Sequence, residues 1–143
     1  DGTTDTARVM QMCLFHDIAE ARTSDLNYVH QQYMQADESK ALTGITAKVS
    51  FAKRIQDAMQ EYHDRQTPEA ILAKDADNLE WILSLKELLD LGNIRAKAMM
   101  ENAQKRLKSA VAQQLAQMIV STPSDAWYLE DQNDQWCINR KRS

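Results

Sequence analysis

Between Thr67-Pro68-Glu69 and Gly92-Asn93 the sequence brackets one long helix with no glycine or proline inside it, and a helix of that length dictates what the rest of the chain can pack against. Thr67 offers a capping hydroxyl, Pro68 gives up no hydrogen bond in the first turn, and Glu69 sits at the positive end of the helix dipole. Gly92 ends it with the residue that turns left-handed most readily. The whole chain agrees with this segment. Three Gly and two Pro in 143 residues, among many Ala, Leu, Gln, Lys, Glu and Met, point to an all-α protein.

The same reading places a first helix from about Thr4 to Ala21, capped by Thr3, Thr4 or Asp5 and leaving through Arg22-Thr23-Ser24. A short helix follows over Tyr28 to Tyr33. A third element spans about Glu38 to Asp64, with an interruption near Thr43-Gly44. Its second half repeats apolar residues on one face at Ile45, Val49, Ala52, Ile55, Met59 and Tyr62. The long helix Pro68 to Leu91 comes next, then one from Ile94 to Val120 with Leu107, Val111, Leu115, Met118 and Ile119 inward. Thr122-Pro123-Ser124-Asp125 starts a last short helix through Trp127 and Tyr128, before a polar tail over residues 131–143 to which Trp136 contributes a docking aromatic. No internal repeat or linker breaks the chain, so a single domain over residues 1–143 is expected.

A net charge of −4 and a pI near 5.3 argue against a nucleic-acid binder, which would carry a basic face. The basic cluster Arg140, Lys141, Arg142 reads as a solvated terminus. Cys13 and Cys137 belong to no CxxC or Cys/His cluster, which fits reduced thiols and a cytoplasmic setting. No apolar run approaches the roughly 20 residues needed to cross a bilayer, so no membrane partner is expected.

The chemistry concentrates in LFHDIAEARTSD, Leu14 to Asp25. His16 and Asp17 fall among Val9, Met12, Cys13, Leu14, Phe15 and Ile18, so the pattern that buries the helix is expected to bury them too. An ionised carboxylate in a core needs a partner, because desolvation costs several kcal/mol or more. A divalent cation is one. Glu20 shares a face with both residues, three and four positions on. Neighbours such as His16 and Asp17 still need ligands from elsewhere in the fold. Asp77 follows a stripe of Ala70, Ala73, Trp81, Ser84 and Leu88. Asp75 competes with it from a face shared with Ile71, Ile82 and Leu89, and periodicity separates the two only weakly. His30 and His63 read as surface or half-buried histidines. The seven Met and three Trp read as core.

These residues carry a resemblance. HDIAEARTSDLNYV from His16, QEYHDRQTPEAILAKDADNLEWIL from Gln60, GNIRAKAMMENAQKRL from Gly92 and Asp125-Ala126-Trp127-Tyr128 resemble the HD-domain metal-dependent phosphohydrolases, in the branch of the 5′-deoxynucleotidases. The resemblance covers most of the chain and implies an HD-domain bundle of five to six helices. It implies one divalent ion (Mn, Co, Fe, Ni, Zn or Mg) held by His16, Asp17 and Asp77, and it selects Asp77 over Asp75 through the step Lys74-Asp75-Ala76-Asp77. It gives Glu20 and Asp25 the acid/base work on a metal-activated water. Lys74 is placed either to touch substrate phosphate or to pair with Asp77 or Glu20. The family's first metal histidine precedes this tract. With none available ahead of His16 and a start at Asp1 rather than Met, it is expected from a segment upstream. Ser24 stands where a glycine often precedes the acid, which a backbone that is not left-handed would accommodate.

The implied function is hydrolysis of nucleoside 5′-monophosphates or similar small phosphorylated compounds, by a homodimer whose Met-rich helices supply the interface. The alternatives are a phosphodiesterase or pyrophosphohydrolase of a signalling nucleotide, and a non-catalytic dimerisation or regulatory module with a vestigial metal site.

Overall fold

The computed structural model describes residues 4–129, and the regular elements among them are all helical. Eight α-helices lie among the described residues, six of them nine residues or longer. The all-α expectation is met. The residues form two compact units whose boundary, at Asp77 and Asn78, falls in the middle of the long helix.

The first unit comprises α1 (Thr6–Phe15), α2 (Glu20–Thr23), a 3-10 turn (His30–Gln32), α3 (Glu38–Thr46), α4 (Ala52–Asp64) and the first half of α5 (Pro68–Asp90). Asp5 is the residue that caps α1, its side chain accepting from Arg8 N at 3.0 Å. The Asp5 amide in turn donates to Glu69 Oε1 at 3.0 Å, joining the starts of α1 and α5. Thr67 caps α5 as its sequence indicates, accepting from Ala70 N at 3.1 Å. The core gathers Met12, Leu42, Ile55, Ala58, Met59, Tyr62, Ala70 and Ala73, with Val9, Cys13, Phe15 and Ile18 against its edge. The face read from Ile55 to Tyr62 is therefore the buried face of α4.

Several expected boundaries are corrected. The first helix does not run to Ala21: α1 stops at Phe15, the chain makes tight turns through residues 16–19, and α2 restarts at Glu20. The short helix near Tyr28 is a single 3-10 turn, His30–Gln32. The interruption in the third element lies at residues 47–51 rather than at Thr43-Gly44. Gly44 is well inside α3 with no atom near its missing Cβ, so nothing there forces a break. α4 ends at Arg65 in a left-handed conformation, φ 52°.

The second unit contains the rest of α5, then α6 (Ala96–Gln104), α7 (Ala110–Ser121) and α8 (Ala126–Leu129). Its core is Ile82, Leu85, Ala96, Met100, Ala103, Leu107, Ala112 and Ala116. The single helix expected from Ile94 to Val120 is two helices, because Ser109 caps a new start by accepting from Ala112 N at 3.3 Å. The inward face of α7 is also corrected. Ala112 and Ala116 are buried, with Ile119 and Val120 at the margin, whereas Val111, Leu115 and Met118 are exposed. Asp90 accepts from Lys86 and, through Oδ2, from Ser124 N at 2.8 Å, fastening the end of α5 to the turn before α8. Among the described residues no helix is long and apolar enough to cross a membrane. The tail expectations, including Trp136, Cys137 and the Arg140-Lys141-Arg142 cluster, lie outside the described residues.

Candidate metal centre

The site grows out of the place where α1 stops. His16 is its C-cap, its amide still donating to Met12 O at 2.9 Å. The next amides switch to three-residue steps, Ile18 N to Phe15 O and Glu20 N to Asp17 O, the tighter winding of a 3-10 turn. Tightening rotates the side chains away from the α-helical face. His16 remains largely covered, 21% exposed, but Asp17 is 60% exposed. The expectation that both are buried thus fails for Asp17, and it fails because the helix carrying that pattern ends one residue before His16.

The His16 ring is oriented from behind. Nδ1 lies 2.9 Å from Cys13 O. A carbonyl oxygen can only accept, so Nδ1 carries the proton and Nε2 points forward. Ahead of Nε2 stand Asp17 Oδ2 at 2.9 Å and Asp77 Oδ1 at 3.6 Å. The turn after α1 and the middle of α5 thereby place a carboxylate each within 3.6 Å of the imidazole Nε2. The Asp77 carboxylate facing the ring holds the His16 pKa above its ordinary value, against the opposing effect of burial, with the Cys13 carbonyl and the Asp17 charge adding to it. Asp77 is correspondingly held far below the usual carboxylate range, by His16 first and then Lys74, despite its burial. Asp17 is pushed up by partial burial and the neighbouring Asp77 charge, against the pull of His16.

The second carboxylate corrects the stripe argument. Asp75 is the buried acid of α5, 3% exposed, and Asp77 lies at the margin. What distinguishes Asp77 is its company. Oδ2 accepts from Lys74 Nζ at 2.5 Å and from the Tyr62 hydroxyl at 3.1 Å. Lys74 is thus in the ion pair that was one of its two expected roles, and it also stands 5.1 Å over the Tyr62 ring. The sequence reading placed Tyr62 in the core and missed its hydroxyl. A signal existed: a tyrosine on a buried helical face must find an acceptor for its O–H. Burial, the Asp77 charge and that hydrogen bond all raise the Tyr62 pKa, so the phenol stays a donor.

Glu20 and Asp25 do not join this cluster. They line, with His16, a cavity of about 1120 Å³ whose wall also includes Glu38, Gln56 and His63. His16 is the residue common to both groups. Burial, then the charges of Asp17, Asp25 and Glu38, raise the Glu20 pKa. His63 faces Glu38 at 3.5 Å, on the surface as expected. Asp25 follows Ser24, whose backbone at φ 62° and ψ 157° is one that glycine adopts freely and serine does not. The replacement of glycine there is a real strain, because the backbone is not the conformation that would accommodate serine.

Among the described residues no group of three or more His, Cys, Asp or Glu side chains is closed up as a metal cluster. The donors nonetheless suit a cation. A nitrogen lone pair facing two anionic carboxylates is repulsive until a positive charge lies between them, whether a proton or a metal ion. Imidazole with carboxylate oxygens fits a first-row divalent ion.

The all-α fold is that expected of an HD-domain protein. The HD-domain family model matches residues 1–119, and the chain belongs to that family. Among curated relatives it is 35% identical to the 5′-deoxynucleotidase HDDC2 of Dictyostelium discoideum, over 58% of this chain and 46% of that protein. It is 31% identical to the 5′-deoxynucleotidase HDDC2 of Danio rerio, over 64% of this chain and 48% of that protein. The chain therefore spans about half the length of the curated relatives it matches. No solved structure matches it significantly. The expected HD-domain family is borne out, and the expected resemblance to 5′-deoxynucleotidases is matched by these two relatives.

Proposed function

We propose that the chain carries the metal centre of a phosphohydrolase that removes phosphate from nucleoside 5′-monophosphates. The observation that supports this most is His16 Nε2 aimed between Asp17 and Asp77 with its tautomer set by Cys13. His16, Asp17 and Asp77 would hold one divalent ion. Bound there, such an ion supplies Lewis acidity, which lowers the pKa of water toward neutrality and offsets charge on a phosphoryl group.

The remaining work belongs to the chain. Asp25, exposed on the cavity wall, can accept a proton from an attacking water at its carboxylate. Glu20, in the same wall, can return one to the leaving ester oxygen. Lys74 balances Asp77 and directs a positive charge toward the same place. The phosphomonoester reading draws on the names of the two relatives, both 5′-deoxynucleotidases. A homodimer fits the exposed stripe Val111, Leu115 and Met118 on α7, spaced along one helical face.

The test is a product screen on the full-length protein with Mn or Co, over nucleoside 5′-monophosphates, cyclic nucleotides and guanosine polyphosphates. Inorganic phosphate released from the monophosphates is the expected result. Turnover confined to the cyclic or polyphosphorylated compounds would replace this reading with a phosphodiesterase or pyrophosphohydrolase. A protein that takes up no metal and turns nothing over would make it a non-catalytic module.

A further inference from the structure

Asp77 is gripped by one oxygen. Lys74 Nζ and the Tyr62 hydroxyl both donate to Oδ2, at 2.5 and 3.1 Å, while Oδ1 faces His16 Nε2 at 3.6 Å. A carboxylate free to rotate about its last bond could present either oxygen, or both, to a cation. We propose that Tyr62 is a positioning residue for the metal centre: together with Lys74 it occupies Oδ2, so that Asp77 offers Oδ1 alone as a one-oxygen ligand. The inference rests on the reading of Asp77 as a metal ligand and goes further by assigning Tyr62, which touches no substrate in that scheme.

Tyr62 is suited to the task in a way Lys74 is not. The Lys74 ammonium rides on a flexible four-carbon stem, whereas Tyr62 is 5% exposed and its ring is part of the core of the first unit. The hydroxyl therefore sits at a fixed distance from α5. The same ring lies 5.6 Å from the His16 ring and 5.1 Å beneath Lys74 Nζ, so one rigid side chain references the imidazole, the ammonium and the carboxylate to each other. Groups that orient metal ligands from behind commonly change metal affinity by about 10- to 100-fold when removed.

Tyr62→Phe isolates the hydroxyl. It keeps the ring in the core and changes no charge, whereas Lys74→Met would also remove a cation that repels the metal and so mix two opposing effects. The experiment is cobalt titration of the full-length protein, followed by calorimetry and by the visible absorption of bound cobalt, for wild type, Tyr62→Phe and Asp77→Asn. Thermal melting of each variant serves as the control for folding. The expected result is that Tyr62→Phe stays folded and binds cobalt about tenfold more weakly, with an altered visible spectrum because the Asp77 binding mode has changed. Wild-type affinity and spectrum in Tyr62→Phe, alongside loss of cobalt in Asp77→Asn, would overturn the positioning role and leave the ligand reading standing. A wild type that binds no cobalt, or an Asp77→Asn variant that binds it as wild type does, would overturn both.

Discussion

Ser24 holds φ 62° and ψ 157° immediately before Asp25, and the two facts belong together. A non-glycine residue in such a region carries roughly 1–3 kcal/mol of strain, while glycine adds up to about 1 kcal/mol of unfolded-chain entropy. Ser24→Gly is accordingly expected to stabilise the protein by about 1 kcal/mol, read as a rise in the urea midpoint; a fall would show that the serine side chain contributes more than its backbone costs. Glu61 offers a second test at this scale. Burial pushes its pKa up, but the Thr67 hydroxyl at 2.6 Å and the Arg8 guanidinium at 2.7 Å outweigh this, and the net displacement is downward. A group lower in the folded than in the unfolded state contributes stability above its unfolded pKa. That contribution is lost as pH falls through the folded value. Wild type should lose stability relative to Glu61→Gln as pH drops from neutrality through the glutamate range, and parallel curves for the two proteins would contradict it.

The two bounds of α5 were far more legible than the breaks between other helices. Thr67-Pro68-Glu69 marked α5 correctly, and the Ile55, Met59 and Tyr62 spacing marked the buried face of α4. Both signals are local, set by a cap or by one face. The breaks at residues 16–19, 47–51 and 105–109 contain no glycine or proline. They come from packing and from caps such as Ser109, which helix propensity does not report. The site was legible to the same extent. His16 and Asp77 could be singled out as polar residues near apolar stripes, but Asp17 was misjudged because the turn after α1 was not foreseen. Asp75, not Asp77, proved to be the buried acid, and Tyr62 was hidden by its resemblance to core. Ser109→Ala tests the cap directly: loss of the acceptor for Ala112 N is expected to cost about 1 kcal/mol in chemical denaturation. An unchanged midpoint would mean that packing of Leu107 and Ala112 alone fixes the break.

Across the whole molecule, the proposed ligands His16, Asp17 and Asp77 and the cavity with Glu20 and Asp25 all lie in the first unit, while the exposed stripe of α7 lies in the second. The proposed chemistry and the proposed self-association thus fall in different parts of the chain and can be tested separately. Leu115→Lys is expected to yield a monomer in sedimentation velocity with unchanged metal content; a dimer that persists would place the interface elsewhere. The proposed metal centre depends on α5 presenting Asp77 rather than Asp75 to His16. Calorimetric titration of the full-length protein with manganese tests this most directly, comparing wild type with the isosteric variants Asp77→Asn and Asp75→Asn. One ion per chain is expected in wild type and in Asp75→Asn, the latter at reduced thermal stability because a buried charge has been altered, and no binding in Asp77→Asn. Manganese retained by Asp77→Asn, or lost in a folded Asp75→Asn, would contradict it.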